Sequence, residues 1–138
     1  EFNMRTGITF SCFDLLHAGH IQMLREASQQ CDYLIVGLQT NPTIDRPEKN
    51  MPVQSVVERY IQLSGVKYVN EVVPYESEQD VENILKTFIP DVRIIGEDYR
   101  SRDFTGKELC RELNIEIFYN NRRHDFSTTN LRKQICDN

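Results

Sequence analysis

The sequence predicts one α/β domain in which a mainly parallel five-stranded sheet is wound on both sides by helices. Short apolar runs that do not alternate with polar residues are typical of strands buried on both faces. Amphipathic segments at helical spacing separate these runs, and this alternation indicates parallel strands joined by helical crossovers. A length of 138 residues suits a single core.

The elements follow one another in a regular order along the chain. Residues 7–10 and 33–38 are the clearest buried strands, and Ile21, Leu24 and Ala27 recur at helical spacing between them. Further strands are predicted at residues 69–73, 92–95 and 115–119. Further helices are predicted at residues 56–63, 81–88 and 106–113, with a last helix from about Ser127. Together these elements predict a single Rossmann-like, doubly wound domain.

The composition is that of an ordinary soluble globular protein, with 39% hydrophobic and 27% charged residues. No run reaches the ~18 apolar residues that a membrane helix needs, and no signal-peptide pattern opens the chain, so we expect a cytoplasmic location. A net charge of −5 argues against sequence-independent binding to nucleic acid or membrane lipid. Residues 1–3 precede Met4 and look like a cloning remnant, so the predicted domain spans residues 4–138.

The four cysteines predict neither a metal site nor a disulfide framework. They form no C-x-x-C pair, and a chain with a core of this size does not need disulfides, so we interpret them as free thiols.

Segments that directly follow strands are the candidate functional segments of this domain. Doubly wound sheets bind ligands beyond the carboxyl ends of their strands, where the strand order reverses. Four such segments carry unusual residues, at positions 11–20, 39–52, 96–106 and 120–129.

The first of these segments, residues 11–20 (SCFDLLHAGH), lies between a strand and a helix. A helix N-terminus presents unpaired N–H groups and a partial positive charge, which favour phosphate. His17 and His20 lie three residues apart around Gly19, so both can donate hydrogen bonds to oxygens that gain charge during displacement at phosphorus. The alternative is a helix cap beside a surface histidine. The strand–motif–helix context favours phosphate chemistry. No carboxylate or cysteine stands at ligand spacing to complete a zinc site.

A second motif, residues 122–130 (RRHDFSTTN), precedes the last predicted helix. Arg122 can pair with phosphate oxygens. Ser127 and Thr128 would cap the helix and bind a second phosphate at its N-terminus. The alternative interpretation is an ordinary helix cap beside surface arginines.

Both motifs carry a resemblance to a known family. Residues 13–20 resemble the H-x-G-H signature of the cytidylyltransferase-like nucleotidyltransferase superfamily. Residues 122–128 resemble the R-x-x-x-x-S-T motif of the glycerol-3-phosphate cytidylyltransferases, which the chain resembles most closely. Residues 68–74 (YVNEVVP) and 96–99 (GEDY) are similar to the Y-V-D-E-V strand and the G-D-D-W turn of those enzymes.

The resemblance implies a role for each matching residue. The implied catalytic residues are His17, His20, Lys49 and Arg122. The implied nucleotide-binding residues are Ser11, Cys12, Phe13, His17, His20, Asp98, Tyr99, Arg122, Ser127 and Thr128. The implied substrate-binding residues are Arg46, Arg59 and Lys67. The implied reaction transfers CMP from CTP to a small polyol phosphate such as glycerol 3-phosphate and releases pyrophosphate, with Mg²⁺ as cofactor and a homodimer as the assembly.

Several residues depart from the glycerol-phosphate pattern. Cys12 replaces a threonine and Ser11 a glycine, and a cysteine at this position resembles the heptose-phosphate adenylyltransferases and the ethanolamine-phosphate cytidylyltransferases. Asn41 stands where an aspartate is usual, and Lys49 is the only lysine of a loop expected to be rich in lysine. Two alternatives therefore stay open: an ATP-dependent adenylyltransferase acting on a sugar phosphate, and an inactive nucleotide-binding regulatory module.

Overall fold

A computed structural model of the chain describes residues 3–121, which contain a five-stranded sheet and four α-helices. The strands are β1 (Thr6–Ser11), β2 (Tyr33–Gln39), β3 (Glu71–Tyr75), β4 (Val92–Gly96) and β5 (Glu116–Asn120). The helices are α1 (Ala18–Ser28), α2 (Val56–Ser64), α3 (Glu78–Phe88) and α4 (Lys107–Glu112), with a 3₁₀ turn at Glu97–Tyr99. The helix predicted from about Ser127 lies outside the described residues.

The sheet has the order β3-β2-β1-β4-β5, and all of its strand pairs are parallel. The predicted doubly wound α/β fold is therefore confirmed. Strand order reverses at β1, because the chain steps outward to β2 and β3 and then returns to place β4 on the other side of β1. The carboxyl ends of β1 and β4 thus flank the point where a ligand crevice forms in such sheets.

Two hydrophobic clusters cover the two faces of the sheet. On one face, Leu34 and Val36 of β2 pack with Leu24 of α1 and Leu63 of α2. Ile35 of β2 belongs to the other cluster, which contains residues of β1, α3 and α4. Alternation of neighbouring β2 residues between the clusters follows from the two-residue period of a strand. Burial on both faces explains why the strands show continuous apolar runs.

Strand β3 begins two residues later than predicted, because a turn occupies the start of the predicted segment. The Val69 amide donates to the Val66 carbonyl at 3.1 Å within that turn. The Asn70 side chain then accepts a hydrogen bond from the Leu34 amide at 2.8 Å. Pairing with β2 starts only at Glu71. Pro74 is compatible with β3 because β3 is an edge strand.

Helix α3 begins three residues earlier than the apolar spacing predicts. Its N-cap is Ser77, whose hydroxyl accepts from the Asp80 amide, and the Asp80 carboxylate accepts from the Ser77 amide in return. This reciprocal capping box satisfies N–H groups that would lack partners. These backbone hydrogen bonds also lower the pKa of Asp80.

Two further predictions can be compared with residues 3–121. Cys12, Cys31 and Cys110 form no disulfide with one another, as predicted, while Cys136 lies outside this range. No helix in this range has both the length and the apolar character needed to cross a membrane.

Candidate active site

A cavity of about 540 Å³ opens at the carboxyl ends of the strands, where the reversal of strand order predicts a ligand site. Its lining includes the last residues of β1, β2 and β3. The predicted site residues that line it are Ser11, Cys12, Phe13, His20, Arg46, Lys49 and Tyr99. The structure thus brings the first motif, the loop after β2 and the turn after β4 into one cavity.

The turn between β1 and α1 has an unusual backbone. Phe13 and Leu15 both have φ of 51°, in the left-handed region that bulky residues rarely adopt. Phe13 is only 1% exposed and belongs to a core cluster, so packing offsets the backbone strain. Strain of this kind collects at functional sites, where the surrounding structure fixes an otherwise unfavourable turn. Here the strained turn connects β1 directly to the two histidines at the start of α1.

His17 and His20 together form the N-terminal cap of α1. The Nδ1 atom of His17, the N-cap residue, accepts from the Gly19 amide at 3.0 Å. The Nδ1 atom of His20 accepts from the His17 amide at 3.2 Å. The two rings stack with centroids 3.9 Å apart. The structure thus shows the helix cap that was one interpretation of the motif, while phosphate chemistry at the same residues stays a prediction.

This capping arrangement determines which ring nitrogens can serve a ligand. A neutral imidazole whose Nδ1 accepts a hydrogen bond carries its proton on Nε2. The Nε2–H groups of His17 and His20 are then the donors of the pair, next to the positive end of the α1 dipole. His20 lines the cavity. His17 is not among the lining residues, and its ring stacks on the ring of His20. Such an arrangement suits a phosphate group at the start of α1.

Arg59 lies beneath the cavity, not in its lining, which revises its predicted role in substrate binding. The side chain is only 2% exposed. Its guanidinium donates to the carbonyl oxygens of Gln39 (2.6 Å), Thr40 (2.8 Å), Cys12 (3.0 Å) and Gln54 (3.1 Å). Arg59 thereby fixes the ends of β1 and β2 to the start of α2, so its contribution is to position the cavity walls.

The loop that carries Lys49 is anchored to the histidine motif. The two carboxylate oxygens of Asp14 accept from the Val53 amide at 2.8 Å and the Gln54 amide at 2.9 Å. The Gln54 side chain accepts in turn from the Leu15 amide at 2.9 Å. Asp14 is only 6% exposed, so this anchor is shielded from water. Lys49 is therefore presented to the cavity from a loop whose far end is held by the motif itself.

Arg46 connects this loop to the segments after β3 and β4. Its guanidinium pairs with the Glu78 carboxylate at 2.7 Å, and the Asp45 carboxylate accepts from the Glu78 amide at 2.6 Å. Partial burial acts to lower the pKa of Arg46. The charge and hydrogen bond of Glu78, with a hydrogen bond to Tyr99, outweigh burial and raise that pKa. Arg46 is therefore a permanent cation of the cavity wall.

An aromatic wall closes the cavity on the side of α3 and α4. Phe10 and Tyr75 meet edge to face with centroids 5.6 Å apart, and both line the cavity. Burial raises the pKa of Tyr75, so its hydroxyl stays neutral. Behind Phe10, the Arg93 guanidinium lies 5.0 Å from the ring centroid. Gly37 makes room for this wall, because a Cβ there would lie 2.3 Å from a Phe10 ring carbon.

Some predicted site residues are not in the cavity. Lys67 lies in the turn before β3, at the opposite end of the sheet, with its ammonium 5.2 Å from the Tyr68 ring centroid. Within one chain it therefore does not reach the cavity. Asp98 pairs with Arg102 at 3.2 Å on the surface and does not line the cavity. Arg122, Ser127 and Thr128 lie outside the described residues.

The structure also shows residues that sequence reasoning missed. Asp14 is part of the histidine motif, yet no anchoring role was predicted for it. Tyr75 and Glu78 line the cavity, although the segment after β3 was not among the candidate functional segments. The signal that could have found them is the general rule on strand ends, which applies to β3 as it does to the other strands.

Fold and cavity together are those of an α/β domain of the nucleotidyltransferase type. The family model of cytidylyltransferase-like proteins matches residues 8–134, and the chain belongs to that family. Similar proteins include the bifunctional protein HldE of Wolinella succinogenes, 35% identical over 128 residues, which are 92% of this chain and 26% of that protein. HldE of Caulobacter sp. strain K31 is 35% identical over 129 residues, 93% of this chain and 26% of that protein. The chain thus spans about a quarter of the length of these relatives.

Solved structures share the fold. The lipopolysaccharide core biosynthesis protein of Thermoplasma volcanium has a TM-score of 0.73 at 24% identity, with 88% of this chain and 100% of that chain covered. A pantoate-beta-alanine ligase of Francisella tularensis has a TM-score of 0.61 at 19% identity, with 94% of this chain and 65% of that chain covered.

Proposed function

We propose that this domain transfers the AMP moiety of ATP to a sugar phosphate and releases pyrophosphate. The observation that carries the proposal is the histidine cap of α1. The Nδ1 atoms of His17 and His20 accept amide hydrogen bonds there, which in a neutral imidazole puts the proton on Nε2 as a donor, and His20 lines the cavity at the strand ends. Donors fixed in this way stabilise charge that develops on phosphate oxygens without having to reorganise.

In the proposed step, a phosphate oxygen of the acceptor attacks the α-phosphorus of ATP. A new bond forms between these atoms while the bond from the α-phosphorus to the bridging oxygen breaks, and pyrophosphate leaves with the electron pair. His17 and His20 donate to the phosphate oxygens, and Lys49 neutralises charge from the loop on the other side. No covalent intermediate on the protein is needed, because positioning and electrostatics supply most of the acceleration in such reactions.

ATP and a sugar phosphate replace CTP and a polyol phosphate as the preferred substrates. The HldE relatives cover more than nine-tenths of this chain and favour the adenylyltransferase alternative over the glycerol-phosphate one. Cys12 argues against the glycerol-phosphate branch, since a cysteine at this position resembles the heptose-phosphate adenylyltransferases and the ethanolamine-phosphate cytidylyltransferases. Cys12 also lines the cavity, so this departure from the glycerol-phosphate pattern lies within the site.

Mg²⁺ belongs to this proposal as part of the nucleotide substrate. Within residues 3–121, no group of three or more His, Cys, Asp and Glu side chains is placed to hold a metal ion. Both Asp14 oxygens accept backbone hydrogen bonds, and Glu78 is paired with Arg46. This donor set suits Mg²⁺ carried mainly by phosphate oxygens and water, which is how the ion is often held at nucleotide sites.

Pyrophosphate release across a matrix of substrates tests the proposal. The four common nucleoside triphosphates are each combined with pentose, hexose and heptose phosphates and with glycerol 3-phosphate. The proposal predicts that ATP with one of the sugar phosphates gives at least about tenfold more turnover than any CTP combination, a difference of about 1.4 kcal/mol. Turnover with CTP and glycerol 3-phosphate would instead support a glycerol-phosphate cytidylyltransferase. Nucleotide binding without turnover in any combination would indicate a regulatory module.

A further inference from the structure

Polar side chains also line the part of the cavity beyond the ends of β2 and β3. Glu78, in the first turn of α3, pairs with Arg46 of the loop after β2 at 2.7 Å, and both line the cavity. Asp45 fixes the backbone of Glu78 through the hydrogen bond from the Glu78 amide at 2.6 Å. We propose, on the basis of the function proposed above, that the Glu78 carboxylate held by Arg46 selects the acceptor by accepting hydrogen bonds from its sugar hydroxyl groups.

The charges of the cavity indicate which part of the acceptor meets Glu78. At the β1 end, the α1 N-terminus and the donor groups of His17 and His20 favour anions. The Glu78 carboxylate is paired with Arg46, so this end of the cavity carries no net charge and favours a phosphate group less than the β1 end does. Glu78 therefore suits the uncharged end of a molecule whose phosphate lies at the histidines. A sugar phosphate has this polarity, with an anionic end and a hydroxyl-bearing end.

The spacing of the strands sets the length of that acceptor. Glu78 follows β3, which lies two strands away from β1 in the sheet. Neighbouring strands are about 4.8 Å apart, so the ends of β1 and β3 are separated by on the order of 10 Å. A sugar ring with its phosphate can bridge much of that distance. A three-carbon chain with bonds of about 1.5 Å reaches only about half as far.

The hydrogen-bonding groups of the Glu78–Arg46 pair are also suited to binding hydroxyl groups. An ionised carboxylate accepts several hydrogen bonds, a guanidinium only donates them, and a hydroxyl does both. Arg46 uses part of its donor set on Glu78 and holds the carboxylate in one orientation, so a hydroxyl meets a prearranged acceptor. The Tyr99 ring lines the same cavity. A site built to bond a hydroxyl discriminates strongly against analogues that lack it.

Glu78→Gln is the test variant, because it keeps the shape of the side chain and removes its charge. The ion pair is partly exposed and contributes little to folding, so the variant is expected to fold. The readout is kcat/KM for the best sugar phosphate divided by kcat/KM for its analogue that lacks one hydroxyl group, taken across the available deoxy positions. The expected result is a fall of this ratio by about 10- to 100-fold at one position, as for the loss of one charge-assisted hydrogen bond. KM for ATP is expected to stay within about twofold.

The matched control is Glu76→Gln, which removes the same charge two residues earlier, at an exposed position outside the cavity. Glu76→Gln should behave like the wild type, and Glu78→Asp should recover part of the lost selectivity. An unchanged ratio in Glu78→Gln would overturn the proposal. A rise in KM for ATP as large as the fall in this ratio would also overturn it, because that would show a general effect on the cavity.

Calorimetric binding of the same sugar phosphates without nucleotide separates this inference from the proposed function. If the wild type transfers no nucleotide but binds a sugar phosphate, and Glu78→Gln weakens that binding about tenfold or more, the role of Glu78 holds and the transfer reaction does not. If neither transfer nor sugar phosphate binding is found, or if both proteins bind equally, Glu78 is not the selecting residue.

Discussion

In the proposed reaction, each histidine of the motif performs two tasks through different atoms. The Nδ1 atoms of His17 and His20 accept from amides at the start of α1, and the Nε2–H groups would donate to phosphate oxygens. This division means that stability and catalysis can be separated by substitution. An asparagine offers an oxygen close to the position of Nδ1 but has no group at the position of Nε2.

We predict that His17→Asn and His20→Asn keep the helix cap and lose catalysis. Asparagine is among the best N-cap residues, so thermal stability should stay within about 1 kcal/mol of the wild type. The loss of one preorganised donor should lower kcat by about 10²- to 10³-fold. His17→Ala, which removes the cap as well, is the control and should also lose stability. Near-normal kcat in a folded asparagine variant would contradict the assignment of the Nε2 donors.

Arg59 shows why residue type alone does not reveal a role. An arginine in an amphipathic helix was interpreted as substrate-binding because its position matches a family arginine. Its guanidinium instead binds backbone carbonyls of three segments and is only 2% exposed. Nothing in the sequence distinguishes these outcomes, because the carbonyl groups that attract Arg59 belong to the strand ends and come together only in the folded sheet.

Among the elements, the loop between β2 and α2 connects the fold most directly to the proposed catalysis. It carries Lys49, and its last residues are bound by the Asp14 carboxylate of the histidine motif. We predict that Asp14→Asn, which can accept through only one oxygen, increases amide hydrogen exchange at residues 49–54 and lowers kcat/KM by about 10- to 100-fold, because Lys49 is less well positioned.

Asp103→Asn is the control for this prediction, since Asp103 is exposed and lies outside the cavity. It should change neither hydrogen exchange in the loop nor kcat/KM. Normal exchange and activity in Asp14→Asn would mean that the loop holds Lys49 without this anchor.

Elements with strong local patterns could be predicted from the sequence. The apolar runs of β1, β2 and β4 identified these strands to within two residues, because full burial imposes a continuous apolar pattern. Elements whose limits depend on hydrogen bonds were placed less well. The start of β3 depends on Asn70 bonding to Leu34, and the start of α3 depends on the capping box of Ser77. The same holds for the candidate site. The histidine motif is a local pattern that the sequence reveals, whereas the contact between Glu78 and Arg46 forms only through the order of the strands.

At the scale of the whole molecule, the predicted homodimer has a candidate surface on α2. Val57, Tyr60 and Ile61 are 63%, 43% and 64% exposed and fall on one stripe at helical spacing. We expect this stripe to contribute to the dimer, so Ile61→Glu should weaken self-association. Light scattering over a range of protein concentrations measures this. Gln62→Glu, the same charge change on the same helix, is the control. A monomer mass at every concentration, or equal masses for both variants, would contradict this expectation.

The measurement that tests the central claim most directly follows labelled phosphate groups of ATP into products. The wild-type protein is incubated with a responsive sugar phosphate and ATP labelled at either the α- or the γ-phosphate. Nucleotidyl transfer predicts that the α-label moves to a sugar nucleotide while the γ-label leaves in pyrophosphate, and that His20→Asn slows both by the same factor. The γ-label on the sugar, or its release as orthophosphate, would contradict the account, because the protein would then be cleaving ATP between the β- and γ-phosphates.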